Sequence, residues 1–294
     1  MTSVSIARSH SKLDDLLQLV KIRLNSLVVV TAAGGYYMAA PTVFDPMVLV
    51  ATCLGTGLVA GGAAALNQVR ERDIDQQMDR TKDRPVASGR MTSGEAIAIA
   101  GVATAVGFAM LWLVASMTAA LVAVATLVIY LVIYTPMKRF SSLSTVVGAI
   151  PGALPPVIGW TAAGGTLASA APWSLFLIMF VWQLPHFLAI AWLYREDYAR
   201  AGMPMLPVID RDGVLTGGQA ALWAATLVPV TLLPYLLRFT TGTYAIAALV
   251  LGIAFLVVAV RFMLRRTDER ARALFYGSIT YLPLLFGFMG AGRV

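Results

Sequence analysis

The sequence predicts an all-α protein that crosses a membrane nine times. Three observations carry that reading. Hydrophobic residues fill 59% of the 294 positions and charged residues only 13%, a balance that suits lipid as the main solvent. Apolar runs of roughly 17 to 21 residues recur along the whole length, each long enough to cross a hydrocarbon core of about 30 Å as a helix. The runs are also continuously apolar instead of alternating, which selects helices over barrel strands, because each segment must satisfy its own backbone groups.

The first run, Leu24 to Ala40, follows a polar segment containing Asp14 and Asp15, so a span is expected and a cleavable signal peptide is not. The second, Met47 to Leu66, contains Cys53, the single cysteine, so no disulfide framework is expected. Ala96 to Val114 and Ala119 to Tyr134 form the third and fourth, the latter running into Pro136. Thr145 to Ala163 is rich in glycine and proline, and Trp173 to Leu193 carries Gln183, Pro185 and His186 within an apolar run. Ala220 to Leu237, Tyr244 to Val260 and Leu274 to Gly290 complete the set. One integral domain over 1–294 is expected, with a polar tail at about 1–20 and polar loops at about 67–95 and 194–219.

Nine spans put the termini on opposite sides. Of the 22 Lys and Arg, Arg8 among them, all but Arg238 and Arg293 then fall on the N-terminal side. By the positive-inside rule that side is the cytoplasm, or the matrix of an organelle. The net charge of +7 therefore reads as membrane orientation, and no nucleic-acid partner is expected. Of the 15 Asp and Glu, only Asp45 lies opposite. Acids contribute little to orientation, so their gathering on one face needs another reason.

Asn67, Glu71, Asp75 and Asp79 follow one another at four-residue spacing after the second run. If the helix continues past the membrane edge they form one stripe, about 18 Å long at the helical rise. Carboxylates so placed repel one another unless a cation neutralises them. Oxygen ligands suit magnesium, which commonly shares one or two carboxylates with a substrate's phosphates. Either two or three ions share the stripe, or Asp79 belongs to the loop. The plainer alternative is a solvated helix end whose acids are offset by Arg70, Arg72, Arg80, Lys82 and Arg84.

Other polar groups collect on the same side. Tyr134 and Lys138 flank Pro136, Arg139 follows, and Arg23 precedes the first span; such cations could hold diphosphate oxygens or simply anchor the helices. Gln183 and His186 are costly within a span and are expected to face the bundle interior. His186 is open to three roles: haem ligand, proton carrier or packing residue. Glu196 and Asp197 make a second acidic site.

Taken together, these motifs resemble the UbiA superfamily of intramembrane prenyltransferases. The resemblance rests on Asn67, Glu71 and Asp75, then Asp79-Arg80-Thr81 and Arg84-Pro85. Within the superfamily the haem O synthase branch is suggested by Tyr134-Thr-Pro-Met-Lys138-Arg139, by Trp182-Gln183-Leu-Pro185-His186-Phe187, and by the segment from Asp197-Tyr198 to Gly202-Met-Pro204-Met-Leu206-Pro207. It covers nearly the whole chain. Glu71 stands where the family usually has Asp, and the second acidic motif is thinner than elsewhere in the superfamily.

The resemblance implies a nine-helix bundle around a central cavity that transfers farnesyl from farnesyl diphosphate to a vinyl group of haem B, with water addition. It implies Mg²⁺ at Asn67, Glu71, Asp75 and Asp79. Catalytic roles would fall to Asp75, Lys138, Arg139 and Tyr134, and substrate binding to Arg23, Arg80, Arg84, His186, Gln183 and Asp197. Small-residue runs, Gly61 to Ala65 and Gly148 to Gly159, would let helices approach closely or leave room for the prenyl chain. Haem A synthase or terminal oxidase assembly factors are the implied protein partners. The implied location is the bacterial plasma membrane, with the mitochondrial inner membrane as alternative. A family member with an aromatic acceptor, a transporter and a haem-holding structural protein are the competing functions; acids gathered on one face argue against the transporter.

Overall fold

The computed structural model describes residues 11–39 and 44–294. Arg8 and the first half of the expected polar tail lie outside the described residues, as does Ala40 at the end of the first run. Among the described residues all regular structure is helical, apart from one isolated bridge between Thr240 and Arg293.

A short amphipathic helix α1 (Lys12–Leu19) is capped by Ser11 and Asp14 and meets α2 (Ile22–Ala39) at a 49° bend. Then come α3 (Pro46–Arg70) and a single turn α4 (Arg72–Asp75). The remaining spans are α5 (Ser93–Ala115), α6 (Met117–Met137), α7 (Ser144–Ala162) and α8 (Ala170–Leu193). Short helices α9 (Arg195–Arg200) and α10 (Leu206–Ile209) lead to α11 (Val214–Leu236), α12 (Gly242–Leu264) and α13 (Asp268–Ala291). Eight helices are long and apolar enough to cross a membrane, and the bent α1–α2 pair makes nine.

Helix ends follow their caps more closely than the limits of the apolar runs. Asp45 accepts from the backbone N–H of Met47 and Val48 and so caps α3. Thr92 and Glu95 form a capping box that starts α5 before its apolar run. Thr267 caps α13 at Asp268, so that helix begins well ahead of Leu274.

Between helices, small residues set the spacing. A Cβ on Gly35 would lie 1.9 Å from the Pro156 carbonyl oxygen, and one on Gly159 1.8 Å from that of Ala32, so α2 and α7 touch backbone to backbone. Gly62 brings α3 close to α5, where a Cβ would meet the Thr104 hydroxyl at 2.2 Å and the Ala100 carbonyl oxygen at 2.9 Å. Gly148 and Gly152 instead make room for the Tyr134 ring and the Gln183 amide. Outward-facing apolar residues such as Leu113, Val132 and Ile246 are exposed, as a lipid-facing surface requires.

Candidate functional site at the polar end of the bundle

The helix of α3 does not carry the acidic stripe as one face. Its last turn ends at Arg70, Glu71 leaves helical geometry (φ −99°, ψ 8°), and α4 then runs only to Asp75. Asn67, Glu71 and Asp75 remain together, facing a cavity of about 1420 Å³ that opens at the polar end and continues between the helices. Asn67 and Asp75 are fully buried and Glu71 nearly so.

Each of the three polar groups holds a cation. Lys21 Nζ donates to Asn67 Oδ1 at 3.1 Å, Lys138 Nζ to Glu71 Oε1 at 2.9 Å, and Arg84 Nη1 to both Asp75 oxygens at 2.8 Å. Burial is the largest influence on Glu71 and opposes its ionisation, but the charge and hydrogen bond of Lys138, with Lys21 and Asn67, together hold the carboxyl below the usual range. At Asp75 burial wins over Arg84 and the carboxyl is raised. Lys138 is also buried, yet Tyr134 and Glu71 more than compensate and raise it. Lys21 sits in the turn between α1 and α2; burial, then repulsion from Arg84 and Lys138, pushes it down to about 7.

Tyr134 and Lys138 reach the cavity through an irregular turn. Residues Ile129–Tyr134 are π-helical, and the N–H of Thr135 reaches back to the Tyr130 carbonyl. Pro136 has no N–H and its ring crowds the preceding turn. The widened turn accommodates it, so α6 runs through the proline to Met137. The Tyr130 and Tyr134 rings then meet at a 40° tilt, 5.4 Å apart, with the Lys138 ammonium 4.6 Å from the Tyr134 ring centroid.

The cavity is lined by five cations, Lys21, Arg23, Arg80, Arg84 and Lys138, against three acids, Asp14, Glu71 and Asp75. That excess favours a polyanionic guest. Arg80 closes one side, its guanidinium 5.0 Å from the Tyr194 ring centroid and bonded to Tyr198 Oη at 3.2 Å. Further in, the lining becomes mostly apolar, with Val59, Ala63, Ala123, Leu127, Ile158, Met179 and Phe187; Gln183, His186, Thr31, Thr56 and Thr126 are its polar members.

Three predicted residues stand elsewhere. Asp79 follows the break at Glu71 and the end of α4, and so turns away to the surface, where it pairs with Lys82 and with Arg200, each at 2.7 Å. Arg200 also pairs with Asp197, so both acids belong to a cluster joining the two polar loops and neither lines the cavity. Arg139, just past the end of α6 and one helical step from Lys138, does not line the cavity and donates to the Arg70 carbonyl at 3.2 Å. In contrast Arg23, Arg80, Arg84, Tyr134, Lys138, Gln183 and His186 all line the cavity. Tyr130, Tyr198 and Ser278 carry no sign of a site role in the sequence. Lys21 had a signal: it shares with Arg23 and Asn25 the short polar stretch that opens the first span.

Among the described residues no three His, Cys, Asp or Glu side chains converge to enclose an ion unaided. Two carboxylates and the Asn67 amide leave coordination positions over, which suits Mg²⁺ shared with phosphate oxygens and water. Residues 27–286 match the UbiA prenyltransferase family. The chain belongs to that family.

Its relatives include a protoheme IX farnesyltransferase of Solibacter usitatus, 45% identical with 94% of this chain and 97% of the relative covered. Another, from Opitutus terrae, is 44% identical with 97% of each covered. The fold matches that of a solved digeranylgeranylglyceryl phosphate synthase, with TM-score 0.79, 17% identity, and 96% and 98% of the two chains covered. It also matches a UbiA homologue from Archaeoglobus fulgidus bound to GPP and Mg²⁺, with TM-score 0.68, 16% identity, and 94% and 99% covered. This UbiA-family chain is thus an integral membrane protein with the bundle its sequence predicts.

Proposed function

We propose that the chain transfers the farnesyl group of farnesyl diphosphate to a vinyl group of haem B, with addition of water, giving haem O and diphosphate. The observation that carries this reading is the 45% identity, over nearly the full length, to a protoheme IX farnesyltransferase. The cavity supports it: a cationic polar end for a diphosphate and an apolar interior for a fifteen-carbon chain.

Asn67, Glu71 and Asp75 would hold Mg²⁺, which when bound supplies positive charge for the departing diphosphate oxygens. Lys138 and Arg84 are already positioned on the carboxylates and transfer their hydrogen bonds to diphosphate oxygens as it enters. Lys21 and Arg23 line the same wall. Their combined field is strongest where negative charge grows as the carbon–oxygen bond breaks. The apolar lining keeps water from the allylic cation until the haem vinyl carbon attacks it. Water then captures the resulting cation and loses a proton, leaving a hydroxyl.

The basic asymmetry supports placing the polar end at the cytoplasmic face of a bacterial plasma membrane, with the C-terminus opposite. Haem A synthase, which would take the product, and oxidase assembly factors are the corresponding protein partners. Purified protein incubated with haem B, farnesyl diphosphate and Mg²⁺ should yield a product of haem O mass. A prenylated aromatic acceptor with haem untouched would overturn the choice of substrate.

A further inference from the structure

His186 lies seven residues before the end of α8, about 10 Å below the polar end at the helical rise, and it lines the cavity. Its ring stacks with Trp182 at 5.2 Å and with Phe275 at 5.1 Å, so two aromatic neighbours hold its plane. Its Nδ1 is 2.7 Å from Ser278 Oγ. That hydroxyl has one proton, and it donates it to the Phe275 carbonyl at 2.5 Å. With its proton on the Phe275 carbonyl, Ser278 Oγ accepts from His186, the tautomer that keeps the ring proton on Nδ1. Nε2 is left with a bare lone pair and no hydrogen-bond partner among the described residues.

A neutral imidazole whose second nitrogen is tied to an acceptor, in a rigid apolar setting, has the arrangement of a metal-ligating histidine. It is poorly placed as a general base. Protonation would bury an imidazolium with no carboxylate in contact among the described residues. Nor does it serve packing alone, since the ring lines the cavity and its Nε2 meets no protein group among the described residues, so a guest can reach it.

Resting on the proposed function, we infer that His186 Nε2 binds the iron of the haem acceptor axially and that Ser278 is its positioning residue, fixing the tautomer. Haem is thereby held in the apolar part of the cavity, below the diphosphate end, by its metal as well as by its ring.

The test uses the purified full-length protein in detergent, with haem B added and no farnesyl diphosphate. Resonance Raman of the ferrous complex should show an iron–histidine stretch. His186→Gly should lose it, added imidazole should restore it, and haem affinity should fall about tenfold or more. Ser278→Ala should keep the band at lower frequency, because Nδ1 loses its acceptor, and Ser278→Thr should bring it back. Iron-free protoporphyrin IX reports folding and should bind wild type and His186→Gly equally.

Wild type that binds both porphyrins without an iron–histidine band, or a band that survives in His186→Gly, overturns this inference and leaves the proposed function standing. Wild type that binds neither porphyrin overturns both. An unshifted band in Ser278→Ala overturns the role of Ser278.

Discussion

Lys138→Met separates two roles that one residue holds in this structure. With no metal, Lys138 neutralises Glu71 across 2.9 Å, and the two side chains are only 13% and 5% exposed. Removing one partner of a buried pair strands the other charge, which costs about 3–5 kcal/mol. Lys21 also stabilises the Glu71 carboxylate, so the lower end, about 3 kcal/mol, is expected here. With Mg²⁺ and an unreactive diphosphate analogue present, the ion supplies the counter-charge and most of that loss should vanish. Catalysis should not recover, because a donor to the leaving group is gone, an effect worth about 100- to 1000-fold. The pair of assays is thermal unfolding in detergent, with and without Mg²⁺ and analogue, and single-turnover farnesyl transfer. An equal stability loss in both conditions together with undiminished turnover would show that Lys138 only balances Glu71.

Asp75→Asn should lower turnover by at least about 100-fold, whereas Asp79→Asn should stay within a few-fold, since Asp79 is exposed and pairs with Lys82 and Arg200; activities measured at saturating Mg²⁺ compare them. Lys21 is depressed to about 7 in the free protein, and a bound diphosphate favours its charged form. Binding at pH 8 should then take up a proton, and affinity should weaken as pH rises through the region above 7; calorimetry in buffers of different ionisation enthalpy reads this, and no proton uptake in wild type would refute it. Gly159→Ala should destabilise the bundle by about 1–3 kcal/mol, because its Cβ meets the Ala32 backbone. Gly152→Ala should leave stability nearly unchanged and raise KM instead, because its Cβ meets only the movable end of Gln183; equal unfolding temperatures for the two variants would contradict this.

The spans were legible because length and continuous apolarity are properties of the chain itself, and the positions of Asn67, Glu71 and Asp75 were legible from their spacing. Spacing alone gave no sign of the break at Glu71. A stripe at intervals of four assumes an unbroken helix, so Asp79 was grouped with residues it does not join. The π-turn before Pro136 was equally hidden: the proline signalled trouble, but only packing decides whether the turn widens or breaks. Arg139 and Lys138 are neighbours in sequence and one step of a helix apart, so a single turn sends one to the cavity and the other to the Arg70 carbonyl. Ser278, a lone serine in an apolar helix, gains meaning only from His186, 92 residues away.

If oxygens from Asn67, Glu71 and Asp75 grip a divalent ion shared with the diphosphate, Mn²⁺ in place of Mg²⁺ should report both partners at once. Pulsed electron paramagnetic resonance of the protein with Mn²⁺ and an unreactive thio-analogue of farnesyl diphosphate should show one tightly held ion coupled to phosphorus, and Asp75→Asn should abolish that signal. Phosphorus coupling that persists undiminished in Asp75→Asn, or its absence in wild type, would contradict the account.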